Sequence, residues 1–150
     1  MADQLLFYNE WEPYGELCNY YMRPMVVDGM TWQAVEHYYQ AQKTLDPAMQ
    51  QRIHDAATPA DAKALGNSPE CVKRPDWDTW KLMAMRKALF CKFTQHADLR
   101  KLLLDTGDKV LHENSMVDYY WGIGEDGSGL SMLGKELMAL REELRYFADK

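Results

Sequence analysis

The chain has 150 residues, 47% of them hydrophobic and 27% charged, with a formal net charge of -6. That is enough chain for one domain with a sizeable core, and the acidic balance supplies no basic field to hold a long nucleic acid. No stretch approaches the roughly 18 apolar residues of a membrane span, so no membrane partner is expected.

The N-terminal MADQLLFY lacks the basic and apolar regions of a secretory leader. Cys18, Cys71 and Cys91 are scattered without metal-ligand spacing, which points to a reduced, cytoplasmic setting. Leu5 to Tyr8 reads as a short strand. Asn9 to Pro24 is an irregular loop, rich in aromatics (Trp11, Tyr14, Tyr20, Tyr21), that either lines a pocket or packs as a lid. Met25 to Thr31 is a hairpin, because Asp28-Gly29 suits the left-handed residues of a type I′ turn.

Thr31 to Thr44, TWQAVEHYYQAQKT, reads as a helix of three to four turns with Thr31 as its N-cap. Residues three and four apart share a helical face, so Glu36, Gln40 and Lys43 fall on one stripe, with Val35, Tyr38, Tyr39 and Gln42 on its shoulder. On spacing alone this stripe is best read as an exposed face.

Asp46-Pro47 opens a second helix to about Ala57, with Met49 and Ile53 inward. Thr58-Pro59 opens a third, to Leu65, which Gly66-Asn67 ends. After a loop to Pro75, Asp76 caps the longest helix, to about Gln95. Its expected apolar stripe is Trp80, Met83, Ala84, Lys87, Ala88, Cys91 and Phe93, with Trp77 in the first turn. A short helix spans Ala97 to Leu104, a strand Lys109 to Glu113, and a closing amphipathic helix Leu133 to Phe147 on Leu133, Leu137, Leu140 and Leu144. The fold class expected is α+β, predominantly helical with a few short strands, as a single domain over residues 1–150.

Between the last strand and helix lies NSMVDYYWGIGEDGSGLS, whose glycines preclude regular structure. No Gly-Lys-Ser/Thr follows, so a plain turn is a better reading than a phosphate loop. His37, His54, His96 and His112 are dispersed, and no metal or other cofactor is expected. What remains is Glu36, and Asp118 beside Tyr119, Tyr120 and Trp121. Two carboxylates with flat aromatics suit glycosidic-bond cleavage: a carboxylate stabilises an oxocarbenium-like transition state, an acid or base handles water or leaving group, and an aromatic stacks on a base.

Several motifs in order resemble the YbiA-like, or NADAR, family. Glu36 to Lys43 (EHYYQAQK) matches its EHYFQAQK, Gly15 to Tyr20 (GELCNY) its GxxSNF, and Val27 to Trp32 its DGxTW turn. Leu65-Gly66 resembles its LGR segment, Asp76-Trp77 its polar-then-Trp signature, and Lys92-Phe93 its KF. Leu99 to Gly107 resembles LRxLLLxTG, Asp118 to Gly124 DxYWGxG, and Leu133 to Arg141 LGxxLMxLR. The likeness runs from about residue 7 to 145.

The resemblance implies an N-glycosidase acting on a small ribosyl nucleotide, either an aminopyrimidine ribotide of early riboflavin synthesis or ADP-ribose linked to guanine. It implies Glu36, Trp77 and Asp118 as catalytic positions, with Trp77 as a base-stacking residue. Lys43 is then the expected phosphate contact, and Asn19 and Gln40 orient ribose hydroxyls. Trp121 walls the base, and Gly122 and Ser131 join the binding positions; a purely structural role is the alternative for Trp121 and Gln40. Three positions depart from the pattern: Asn67 replaces the Arg of LGR, Ser131 the Asn of GxNxLG, and Cys18 a Ser. A ribosyl-nucleotide binder without turnover is the competing class.

Overall fold

The computed structural model describes residues 3–148 and divides them into two units, residues 3–18 with 96–148, and residues 19–95. In chain order the first unit holds β1 (Gln4–Phe7), a 3-10 turn at Gly15–Leu17, α5 (Ala97–Asp105), β4 (Val110–Glu113) and α6 (Met132–Ala148). The second holds β2 (Met25–Val27), β3 (Met30–Trp32), α1 (Val35–Ala41), α2 (Pro47–His54), α3 (Pro59–Gly66) and α4 (Trp77–Gln95). The expected class, α+β and mainly helical, is what is found.

In the first unit β1 and β4 pair in parallel, Leu5 opposite Leu111 and Phe7 opposite Glu113. Alternation puts Leu5 and Phe7 inside and Leu6 outside. Helix α6 packs on β4 and α5, burying Leu133, Leu137, Leu140 and Leu144 as their spacing requires. Gly134 permits that contact: a Cβ there would run into the Leu111 carbonyl and crowd Ser131 Oγ. Arg141 ties the turn after α5 to α6, donating from Nη1 to Thr106 Oγ1 and the Lys109 carbonyl, both at 2.9 Å. Cys18, in place of the family's Ser, donates its thiol to the Tyr8 carbonyl at 2.9 Å, so a donor is kept at that position.

In the second unit the hairpin forms as expected, with Asp28 and Gly29 at φ 52° and 81°. Lys87 and Gln95 of α4 hold it, through Asp28 and the Val26 backbone. Asp46 and Thr58 cap α2 and α3, each side chain accepting a first-turn N–H.

Three expectations give way. Thr31 is no cap, because it lies in β3; α1 begins at Val35, and Ala34 before it offers no side-chain bond. The Asp76 carboxylate is taken by Arg74 at 2.6 and 3.2 Å, and only its backbone carbonyl receives the Thr79 and Trp80 N–H groups of α4. The buried face of α4 is Trp77, Ala84, Met85, Ala88, Leu89, Lys92 and Phe93, while Met83 and Lys87 face out.

Gly134→Ala should lower stability by about 2–3 kcal/mol, since the obstacle is backbone that no rotamer change relieves. For a chain of this length that is a fall in Tm of roughly 4–10 °C, readable by calorimetry. A shift under a degree would mean that α6 and β4 do not approach so closely.

Candidate functional site

The helix α1 is seven residues long and every one of them is buried. So short a helix is not stable by itself, and its surroundings fix it. The first-turn N–H of Glu36 donates to the Asn19 carbonyl at 3.1 Å, so the loop before the hairpin supplies the bond that no side chain provides. The exposed-face reading of the Glu36, Gln40 and Lys43 stripe is overturned: their exposures are 7%, 2% and 7%.

An ionised side chain buried this deeply must be bonded. Gln40 Nε2 donates to Glu36 Oε1 at 2.7 Å, the i to i+4 contact that the sequence spacing allows. Gln40 Oε1 is buried without a partner and lies against Gly66, where a Cβ would collide with it. Gly66 is therefore less a helix terminator than a place for the Gln40 amide; it sits inside α3 and does not adopt positive φ. Asn19 has a second acceptor, Oδ1, that is also buried without a partner, while its Nδ2 reaches Met85 Sδ at 3.7 Å.

Lys43 stands just beyond α1. Its Nζ donates to Asn67 Oδ1 at 2.8 Å and lies 5.9 Å from the Tyr39 ring centroid. Burial, then the nearby Lys73 ammonium, pull it down to about 8, against the opposing pull of Glu36 and Cys71. Asn67, the residue that replaces the family's Arg, thus meets Lys43 with an acceptor rather than with a second cation. Trp77 is buried at the start of α4 and packs edge-on against Tyr39 at 5.1 Å. Trp80, one turn on, donates from Nε1 to Gln42 Oε1 at 3.1 Å. In the second unit, then, Asn19, Glu36, Gln40, Lys43 and Trp77 all bear on α1 or its immediate ends.

His37, between them in sequence, is wholly buried and serves the fold. Its Nε2 lies 3.0 Å from the Ala56 carbonyl and so donates to it. Burial above all lowers its pKa and keeps the ring neutral.

The remaining predicted residues group in the first unit. Asp118 is half-buried, and its Oδ1 accepts from both the Tyr120 and Trp121 N–H groups, at 2.9 and 2.8 Å. Its own N–H donates to Ser115 Oγ at 3.1 Å. Both bonds to the carboxylate fall on Oδ1, so Oδ2 takes no part in the turn. Trp121 is buried and stacked on Tyr120, ring centroids 4.7 Å apart and planes 4° from parallel. Gly122 is enclosed by Ser115 and the Glu113 and Asp118 carbonyls, and its own carbonyl accepts from Ser131 N–H.

Ser131 is buried at φ 53°, with Oγ 2.8 Å from His112 Nδ1. Asn, the family's residue at that position, tolerates this left-handed backbone better than Ser does. The first N–H groups of α6, on Met132 and Leu133, donate to the Tyr120 and Trp121 carbonyls, so this helix end is closed by the chain's own turn.

Sequence reasoning missed three participants. Gly66 and Ser115 act by shape and by one hydroxyl, which leave no chemical signature. Lys92, quoted only within a motif, is 1% exposed, and a lysine inside an otherwise apolar helical face was the available signal.

Comparison with known proteins places these residues in context. The NADAR domain family matches residues 6–145. An N-glycosidase of Nostoc punctiforme is 46% identical over 144 residues, covering 94% of this chain and 92% of its own. N-glycosidase YbiA of Escherichia coli K12 is 43% identical over 145 residues, covering 96% and 91%. The NMR structure of the E. coli YbiA protein superposes with a TM-score of 0.92 at 41% identity, over 100% of this chain and 90% of that one. A riboflavin biosynthesis protein of Vibrio vulnificus is 39% identical over 148 residues, 99% of this chain but 40% of that longer protein.

Gly66→Ala should push the Gln40 amide off Glu36 and cost about 1–2 kcal/mol. In a double-mutant cycle with Gln40→Ala the two losses should fall short of additive by at least ~0.5 kcal/mol. Strict additivity in urea denaturation would show that the two side chains do not meet.

Proposed function

The chain belongs to the NADAR domain family, and from that premise we propose that it cleaves the bond between ribose 5-phosphate and an aminopyrimidine of early riboflavin synthesis. It is a hydrolase of N-glycosyl bonds, the activity for which its relatives of similar length are named. The choice of pyrimidine rests on the longer relatives named for riboflavin biosynthesis. The family match runs through both units, which supports reading the chain as one functional domain.

The observation that carries the site assignment is a carboxylate, Glu36, buried on a helix where the Gln40 amide bonds to it and Lys43 shares its stripe. Such a carboxylate, bonded to the Gln40 amide, is fixed in direction and shielded from water. It stabilises the positive charge that develops at C1 of the ribose as the base departs, or directs water to that carbon. Asp118 is the second carboxylate. Its Oδ1 is anchored by two backbone N–H groups, leaving Oδ2 for proton transfer with the leaving base. Trp77 offers its ring to the planar base. Lys43, buried and bonded to the neutral acceptor Asn67, binds the phosphate, while Asn19 and Gln40 bring their unpartnered oxygens to ribose hydroxyls. Trp121, Gly122 and Ser131 shape the turn that presents Asp118.

The reading is tested by supplying purified protein, without added metal, with the aminopyrimidine ribotide and in parallel with ADP-ribosylated guanosine. Release of ribose 5-phosphate from the first is expected; release of ADP-ribose from the second alone would replace the proposed substrate. Binding of either without release would make the chain a nucleotide binder. Glu36→Gln and Asp118→Asn should each lower kcat by ~10²–10⁴ with Tm within a few degrees of wild type. Full rate in either variant removes that residue from the chemistry.

Lys43 sets a pH signature. Its ammonium is lost as pH rises through about 8, so KM for a phosphorylated substrate should rise several-fold between pH 7 and 9 while kcat changes less. Lys43→Arg, charged throughout, should flatten that rise. A KM profile in wild type as flat as in the Arg variant would exclude Lys43 from phosphate binding.

A further inference from the structure

Lys92 is among the most completely buried side chains of the second unit, 1% exposed on the inner face of α4. A lysine withdrawn from water this far is costly, and nothing in the proposed reaction uses it. Its surroundings give it a different task. The ammonium lies 5.6 Å from the centroid of the Tyr21 ring and 5.1 Å from that of Phe93, within the range at which a cation is attracted to an aromatic face. Phe93 is its neighbour on the helix. Tyr21 comes from the loop that precedes the hairpin.

That loop meets α4 at Met85 and at Lys92. Asn19 Nδ2 reaches Met85 Sδ at 3.7 Å, and Tyr21 meets Lys92, seven residues further along the same helix and so on the same face. Between these contacts the loop delivers the Asn19 carbonyl to the Glu36 N–H at 3.1 Å. Helix α1 has no side-chain cap of its own, and Ala34 supplies none. The bond from the loop therefore fixes where α1 begins and where the Glu36 side chain is carried. Asn19 Oδ1, buried and unpartnered, moves with the same loop.

We propose that Lys92 is a positioning residue of the glycosidase site: through Tyr21 it clamps the loop of Asn19 onto α4, and the Asn19 carbonyl in turn seats Glu36 on α1. This rests on Glu36 being the reacting carboxylate. The cationic charge acts on Tyr21 and not on the substrate, so its loss is felt as misplacement of Glu36 rather than as weaker binding of phosphate.

The test compares Lys92→Met, which keeps the stem and removes the charge, with Lys92→Arg, which keeps a cation for the ring, and with Tyr21→Leu. Hydrogen exchange of the Glu36 backbone amide, followed by NMR, reads the seat of α1 without reference to activity. Lys92→Met and Tyr21→Leu should each speed that exchange at least tenfold while leaving amides of α2 and α3 unchanged. Lys92→Arg should stay within threefold of wild type. With a cleaved substrate in hand, Lys92→Met should lower kcat about tenfold or more with KM within twofold, and the Lys92→Met, Tyr21→Leu double variant should be no worse than the poorer single one.

Unchanged exchange at Glu36, a rise in KM with kcat preserved, or additive losses in the double variant would each overturn the proposal. Should Lys92→Met fail to fold, the Tyr21→Leu exchange result decides. If Glu36→Gln proves fully active while the exchange result holds, the catalytic reading of Glu36 fails and the clamp on α1 stands.

Discussion

The bond from Gln40 Nε2 to Glu36 Oε1 is the constraint around which the second unit is arranged. A carboxylate this far from water loses solvation that a protein recovers only with well-placed donors, and a helix of seven residues cannot hold them in place alone. Each neighbour of α1 answers that need. Gly66 of α3 leaves room for the amide, Asn19 supplies the missing carbonyl, and the Thr44 to Lys73 bridge pins the chain where the helix ends. Trp80 of α4 holds Gln42. Glu36 sits on one short element and takes its rigidity from the segments around it.

The same bonds explain why segments far apart in sequence resemble one family together. Gln40 meets Gly66 and Lys43 meets Asn67, joining the helix motif to the LG segment. In the first unit Thr106 and Arg141, which close the TG and LMxLR segments, bond to each other, and the carbonyls of the YYWG turn receive the N–H groups that open α6. Each motif is half of a contact. A departure in one half is then read against its partner: Cys18 keeps a donor toward Tyr8, Asn67 gives Lys43 an acceptor, and Ser131 holds a left-handed backbone with its hydroxyl beside His112.

Elements defined by local chemistry were legible without a structure. The Asp28-Gly29 hairpin, the Asp46 and Thr58 caps, and the leucine stripe of α6 each follow from residues within a few positions of one another. What failed was set by distant partners. Spacing says that Glu36, Gln40 and Lys43 share a face, not that Asn19, Gly66 and Asn67 come to meet it. The α4 face was drawn too far round, through Met83 and Lys87 instead of Met85, Leu89 and Lys92, because the rings that receive the Lys92 ammonium include one from a distant loop. Thr31 looked like a cap because its competing place in a three-residue strand depends on pairing with Val26. The pattern of residues singled out Asp118 as the second carboxylate, and the family likeness added Trp77, which pattern alone left as a core ring.

The pairing of β1 with β4 has a consequence for how the chain is made. The strands are neighbours in space, Gln4 beside Val110, but one leaves the ribosome long before the other. At ~5–20 residues per second the delay is roughly 5–20 seconds, during which Leu5 and Phe7 have no strand beside them. Residues 19–95, by contrast, form one contiguous unit, whose helices and hairpin have all been made once Gln95 has emerged. Synthesis order therefore favours completion of the Glu36 unit first, with the first strand waiting until about three quarters of the chain has been made.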